Sequence, residues 1–182
     1  MRDRIGRVTI AIAAMVVSGA VCAAERYDLG RSATPEEIKG WDIDASPNGA
    51  GLPPGRGDVR QGEAIFAAKC AGCHGAHGEG TPMDRLVGGV GTLRDKKPEK
   101  TVGSFWPYAT TLFDYVRRAM PLNAPQSLTP DEVYAVSAYV LFLNGIIAQE
   151  TTLDADTLAK IKMPNRDGFV SAYPTPSASA KP

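Results

Sequence analysis

Five consecutive residues, Cys70-Ala71-Gly72-Cys73-His74, constrain this chain more than any other feature of its 182 residues. Two thiols separated by two residues lie one helical turn apart and can act together on one object. A zinc ion would need four donors, and Cys70, Cys73, His74 and His77 are crowded together without the long loop that lets two ligand pairs close a tetrahedron. A thiol oxidoreductase would set the pair at a helix start, after a strand, whereas the residues before Cys70 themselves read as a helix. A porphyrin fits the spacing: each thiol forms a thioether to one vinyl group, and the adjacent His offers the proximal ligand to iron. C-x-x-C-H is the attachment motif of haem c, and a single copy implies one covalently bound haem.

The helix ahead of the motif is predicted from Asp58 onward. Asp58 can cap the orphan amides, and Val59, Gly62, Phe66 and Cys70 recur at three- and four-residue steps on one face. Gly62 inside a helix costs roughly 1 kcal/mol relative to Ala, which points to a close approach by another helix. After the motif, Gly75, Gly78 and Gly80 let the chain turn away. A second helix is marked by Thr129-Pro130-Asp131-Glu132, with an N-cap Thr, Pro at the first helical position and Glu three residues after the cap. Val133, Val136, Val140 and Leu143 form its stripe with Tyr139 beside it, and Asn144-Gly145 closes it.

With these features the chain resembles the class I c-type cytochromes over residues 58–145. The features that carry the resemblance are Gly62 and Phe66 on the first helix, the C-x-x-C-H motif followed by Gly75, and a Met-Pro pair before a final amphipathic helix. The resemblance implies an all-α fold, a few helices around one covalent haem, with N- and C-terminal extensions. It also implies that the first and last helices cross where Gly62 and Phe66 meet an aromatic such as Tyr139.

A second axial ligand separates an electron carrier from a haem enzyme or sensor. Met120 is the first choice, at the end of the amphipathic stretch 110–118 and ahead of a loop stiffened by Pro121 and Pro125. The family places its ligand Met in this position. Met163, before Pro164, comes next; Met83 follows the motif too closely, and His77 lies on the same side of the iron as His74. Family members also use an aromatic donor to a haem propionate near the stretch Gly103-Ser104-Phe105-Trp106-Pro107-Tyr108, and Trp106 is the residue chosen for it. Arg94, or Arg117 with Arg118, can balance propionate charge or lie on a solvated helix face. His/Met ligation and burial favour ferrous iron, giving a fairly high-potential one-electron site. No catalytic acid, base or nucleophile is evident, so the chain is expected to transfer electrons and not to be an enzyme itself.

The ends bear on address and partners. Arg2, Arg4 and Arg7 precede an apolar run over residues 8–21 that is too short to span a bilayer easily, and Val21-Cys22-Ala23-Ala24 offers a small-residue cleavage site. Residues 1–24 therefore read as a secretory signal, with a periplasmic product that keeps no stable membrane span. The whole chain balances 20 Lys+Arg against 20 Asp+Glu, and losing three Arg and Asp3 with the signal leaves a formal net charge of −2. That balance argues against nucleic acid as a partner. Residues 25–57 form an N-terminal extension, and residues 146–182 a C-terminal extension with a short helix candidate around 153–161 and a disordered tail from 171.

The extensions, together with one stretch of the core, carry a narrower resemblance. Gly30-Arg31, Trp41-Asp42-Ile43-Asp44, the stretch 103–110 and Met163-Pro164-Asn165-Arg166-Asp167-Gly168-Phe169 are similar to the cytochrome subunits of periplasmic molybdenum sulfite or sulfane dehydrogenases of sulfur oxidation. That resemblance implies a partner that oxidises a sulfur substrate in a two-electron step, with this chain taking the electrons singly and passing them to a downstream cytochrome. Diheme members differ by a second motif. The alternatives are a free-standing soluble carrier, which needs no flanks, and a haem enzyme or gas sensor with an open iron site.

Overall fold

The computed structural model describes residues 29–173. The expected signal segment 1–24, with Cys22, and residues 174–182 of the expected tail lie outside the described residues. The described residues divide into two units, 29–38 and 39–173. A short helix, α1, spans Pro35–Trp41. Its start is capped reciprocally: Thr34 N–H donates to Glu37 Oε2 at 2.8 Å and Glu37 N–H to Thr34 Oγ1 at 3.2 Å.

The larger unit is mostly helical, as expected. Its elements run β1 (Arg56–Asp58), α2 (Val59–Lys69), α3 (Ala71–His74), a 3₁₀ turn (Thr92–Arg94), α4 (Ala109–Ala119), α5 (Pro130–Leu143), β2 (Thr152–Asp154) and α6 (Ala155–Leu158). Local sequence explains where the two main helices begin. Asp58 accepts from the Gln61 N–H while Gln61 returns to the Asp58 N–H, and Thr129 and Glu132 do the same for α5.

The helices α2 and α5 cross at Gly62. A Cβ built there would stand 1.9 Å from the Ala135 carbonyl oxygen and 2.8 Å from Tyr139 Cβ, so only glycine permits the contact. One helical turn on, Phe66 meets Tyr139 with ring centroids 5.3 Å apart. On the other side of α5, Phe113 of α4 packs on Tyr134 at 4.5 Å.

Two features depart from the sequence reading. The helix candidate over 153–161 is instead a short strand and a four-residue helix. That strand, β2, pairs antiparallel with β1, Gly57 opposite Leu153, in a two-stranded ribbon beside α5. In addition, α5 is buried all round from Val133 to Leu141, not along one stripe. Besides α2 and α4, the C-terminal segment supplies part of that cover. Leu153, Leu158 and Met163 are at 0%, 0% and 1% exposure, and burying each such side chain contributes about 2 kcal/mol. Residues 152–163 are thus a part of the core. They are joined by the segment before β1, where Pro53 accepts a hydrogen bond from the Tyr134 hydroxyl at 2.9 Å.

Candidate functional site

The thiols sit on a helical turn that continues α2. Cys70 N–H donates to the Phe66 carbonyl at 2.8 Å, His74 N–H to the Cys70 carbonyl at 3.0 Å, and Gly75 N–H to the Ala71 carbonyl at 2.9 Å. Cys70, Cys73 and His74 are therefore brought together on about one turn. Cys70 and His74 are half-buried and Cys73 is exposed, and both thiols are free. Burial, with the neighbouring Cys73, pushes the Cys70 thiol up to about 11 against the opposing pull of Lys69. The thiols follow a helix and not a strand, unlike the arrangement of a thiol oxidoreductase. Among the described residues no group of His, Cys, Asp and Glu is arranged to hold a metal ion by itself.

After the motif the chain leaves through Gly75, Gly78 and Gly80, all in the left-handed region, and folds back on it. Gly80 N–H donates to the His74 carbonyl at 2.7 Å and Met83 N–H to the Cys73 carbonyl at 2.9 Å. This return brings the Asp84 carbonyl oxygen to 2.8 Å from His74 Nδ1. A carbonyl only accepts, so Nδ1 carries the proton and Nε2 presents its lone pair. An imidazole held in that tautomer by a backbone carbonyl is what a metal-ligating His requires.

The same loop is tied to the end of α5. Asn144 Oδ1 accepts from Gly88 N–H at 3.1 Å, and its Nδ2 donates to the carbonyls of Leu86 and Val140 at 3.2 and 2.9 Å. Sequence reasoning missed Asp84 and this use of Asn144. For Asp84 no side-chain signal exists, because the backbone does the work; for Asn144 the signal was its place at a helix end, read only as a stop.

Met120 is the C-cap of α4, half-buried, with its N–H on the Val116 carbonyl at 3.1 Å. Trp106 is half-buried just before α4 and packs edge-on against Tyr115 at 5.8 Å. Met163 lies in the core, while Met83 is 47% exposed and His77 exposed. Arg94 is exposed, and Arg117 and Arg118 turn toward residues 43–44.

The donor set fits a haem. Two free thiols stand a helical turn apart, a tautomer-fixed imidazole adjoins them, and Cys70, Leu86, Trp106 and Met120 pack on the core as half-covered apolar side chains that a flat apolar macrocycle can cover. Cys70, Cys73 and His74 would hold it.

Comparisons with known proteins agree. The family model for cytochrome c matches residues 59–144. In the crystal structure of the sulfane dehydrogenase SoxCD from Paracoccus pantotrophus, a chain 44% identical superposes with a TM-score of 0.74, covering 83% of this chain and 73% of that one. A thiosulfate dehydrogenase of Allochromatium vinosum is 31% identical over 97 residues, 53% of this chain and 36% of that protein. This chain therefore spans about a third of the length of that curated relative. No helix among the described residues is long and apolar enough to cross a membrane.

Proposed function

The chain belongs to the cytochrome c family as a class I c-type cytochrome, a family of electron-transfer proteins, and on that premise we propose that it is the periplasmic monohaem cytochrome subunit, or acceptor, of a molybdenum sulfite or sulfane dehydrogenase. The observation that carries the electron-transfer reading is the 2.8 Å contact between His74 Nδ1 and the Asp84 carbonyl, beside two free thiols. A bound haem supplies one-electron chemistry at iron. Cys70 and Cys73 would anchor it, and His74 through Nε2 and Met120 through its thioether would be the residues offered to the iron.

The partner reading is supported by likeness that extends beyond the core. The family model spans residues 59–144, and the similarity to a chain of the sulfane dehydrogenase covers 83% of this one. Flank residues that do not pack the core are the surface such a partner would meet. Oxidation of a sulfur substrate releases two electrons, and this subunit takes them one at a time and hands them to a downstream cytochrome.

Two measurements test the reading. An optical spectrum of the mature protein is expected to show low-spin haem c with the near-infrared iron–sulfur band, and a high-spin spectrum would move the chain to the enzyme or sensor class. Purification from periplasm is expected to bring a molybdenum-containing dehydrogenase with it, and sulfite or a sulfane substrate to reduce the haem. A stable isolated monomer that the substrate leaves oxidised would favour the free-standing carrier.

A further inference from the structure

Three consecutive residues ahead of the haem-binding core each make one polar bond to the final turns of α4. Arg117 Nη1 donates to the Ile43 carbonyl at 3.2 Å, Arg118 Nη2 to Asp44 Oδ1 at 2.6 Å, and Ala45 N–H to Asp114 Oδ1 at 2.8 Å. Arg118 also reaches back within the helix, with Nη2 3.1 Å from Asp114 Oδ1 and Nε 3.3 Å from Asp114 Oδ2. Ala45 packs against the hydrophobic core. Because three consecutive residues each meet a different group, a slip of one residue would break all three bonds together.

The helix so held ends at Ala119, and Met120 is its cap. A helix end is where hydrogen bonding is weakest and fraying begins. The loop beyond it is open: Leu122 is 65% exposed, and residues 122–127 are all exposed. Single half-exposed ion pairs hold little by themselves, but here two of the three bonds use backbone groups of a chain that is also packed on the core.

We propose that residues 43–45 are a positioning strap, which holds the final turn of α4 and so keeps the Met120 thioether at the haem iron. The inference rests on Met120 being the second axial ligand. Asp44, Asp114, Arg117 and Arg118 are its positioning residues. The N-terminal extension thus acts on the haem site from a distance, whatever else it meets.

The test uses the full mature holoprotein with Asp44→Ala/Arg117→Ala, which removes the Arg118–Asp44 pair and the Arg117 bond to the Ile43 carbonyl together. Two readouts report on the thioether without electron-transfer activity: the temperature at which the near-infrared iron–sulfur band disappears, and the rate at which carbon monoxide binds the reduced protein. The expected result is unchanged haem content and helical signal, carbon monoxide binding at least tenfold faster, and loss of the band at a lower temperature than in the unaltered protein. Folded, haem-loaded variants with the original rate and band would overturn the strap. If the double variant does not load haem, Arg117→Ala alone takes its place with the same readings. Absence of the band from the unaltered protein would overturn the Met120 assignment itself, and with it the strap, which is a different result from a silent strap.

Discussion

Gly62 of α2 lies against the carbonyl oxygen of Ala135 in α5, so close that a Cβ on Gly62 would stand 1.9 Å from it. The neighbour is backbone inside a buried helix and cannot swing aside. Gly62→Ala is therefore expected to destabilise the protein by about 2–3 kcal/mol or more, although Ala is the better helix former by roughly 1 kcal/mol. Thermal unfolding of the holoprotein checks this. A variant as stable as the parent would mean that the two helices can separate at little cost.

Covalent attachment depends on both thiols. Cys70→Ser/Cys73→Ser is expected to yield protein without covalently bound haem, and each single variant to retain at most one thioether. Acid extraction of the purified protein separates the cases, and haem that stays with the double variant would end the c-type assignment.

Met120→Ala is expected to leave the haem attached through Cys70 and Cys73 while lowering its reduction potential, because a neutral thioether favours ferrous iron. Redox titration measures the shift, and carbon monoxide should bind the reduced variant readily. An unchanged potential and spectrum would move the ligand elsewhere.

The Tyr134 hydroxyl donates to the Pro53 carbonyl at 2.9 Å. Tyr134→Phe removes one hydrogen bond and leaves a carbonyl acceptor, costing about 1 kcal/mol. Burial first, then the nearby Asp154 and Asp156, push this hydroxyl from its usual 10 up to about 12, against the pull of Arg117. The folded chain thus holds the proton more tightly than the unfolded one. Stability from this group is complete below pH 10 and is lost as pH rises from 10 toward 12. Denaturant titrations across that window should show a steeper alkaline loss in the parent than in Tyr134→Phe.

Much of this was legible in the sequence because the signals are local. The caps at Asp58 and Thr129 are written in the residues three positions on, and Gly62 announces a close neighbour by being a poor helix former where a helix must run. The motif at Cys70 names its own cofactor. What escaped depends on residues far apart in the chain. Nothing near Leu153 shows that it pairs with Gly57, and the apolar run after β2 was compatible with a longer helix until the ribbon claimed its first residues. The buried far side of α5, with Tyr134, Ala135 and Ser137, looked like the wet side of an amphipathic helix because its cover comes from residues distant in sequence, Phe113 and Pro53 among them. The Asp84 carbonyl carries no side-chain signature at all.

The ribbon between β1 and β2 also orders events in time. Gly57 stands just ahead of the thiol-bearing helix, while its partner Leu153 is made long after it. Contacts between such distant segments close late, because the chain must give up loop entropy before the pairing rewards it. Cys70 and Cys73 are thus expected to be available while α5 still lacks the cover of Leu153, Leu158 and Met163, so haem attachment would act on a half-assembled core that its own product then helps to close. Pulse proteolysis during refolding, with residues 152–163 becoming protected only after α2, would bear this out, and simultaneous protection would not.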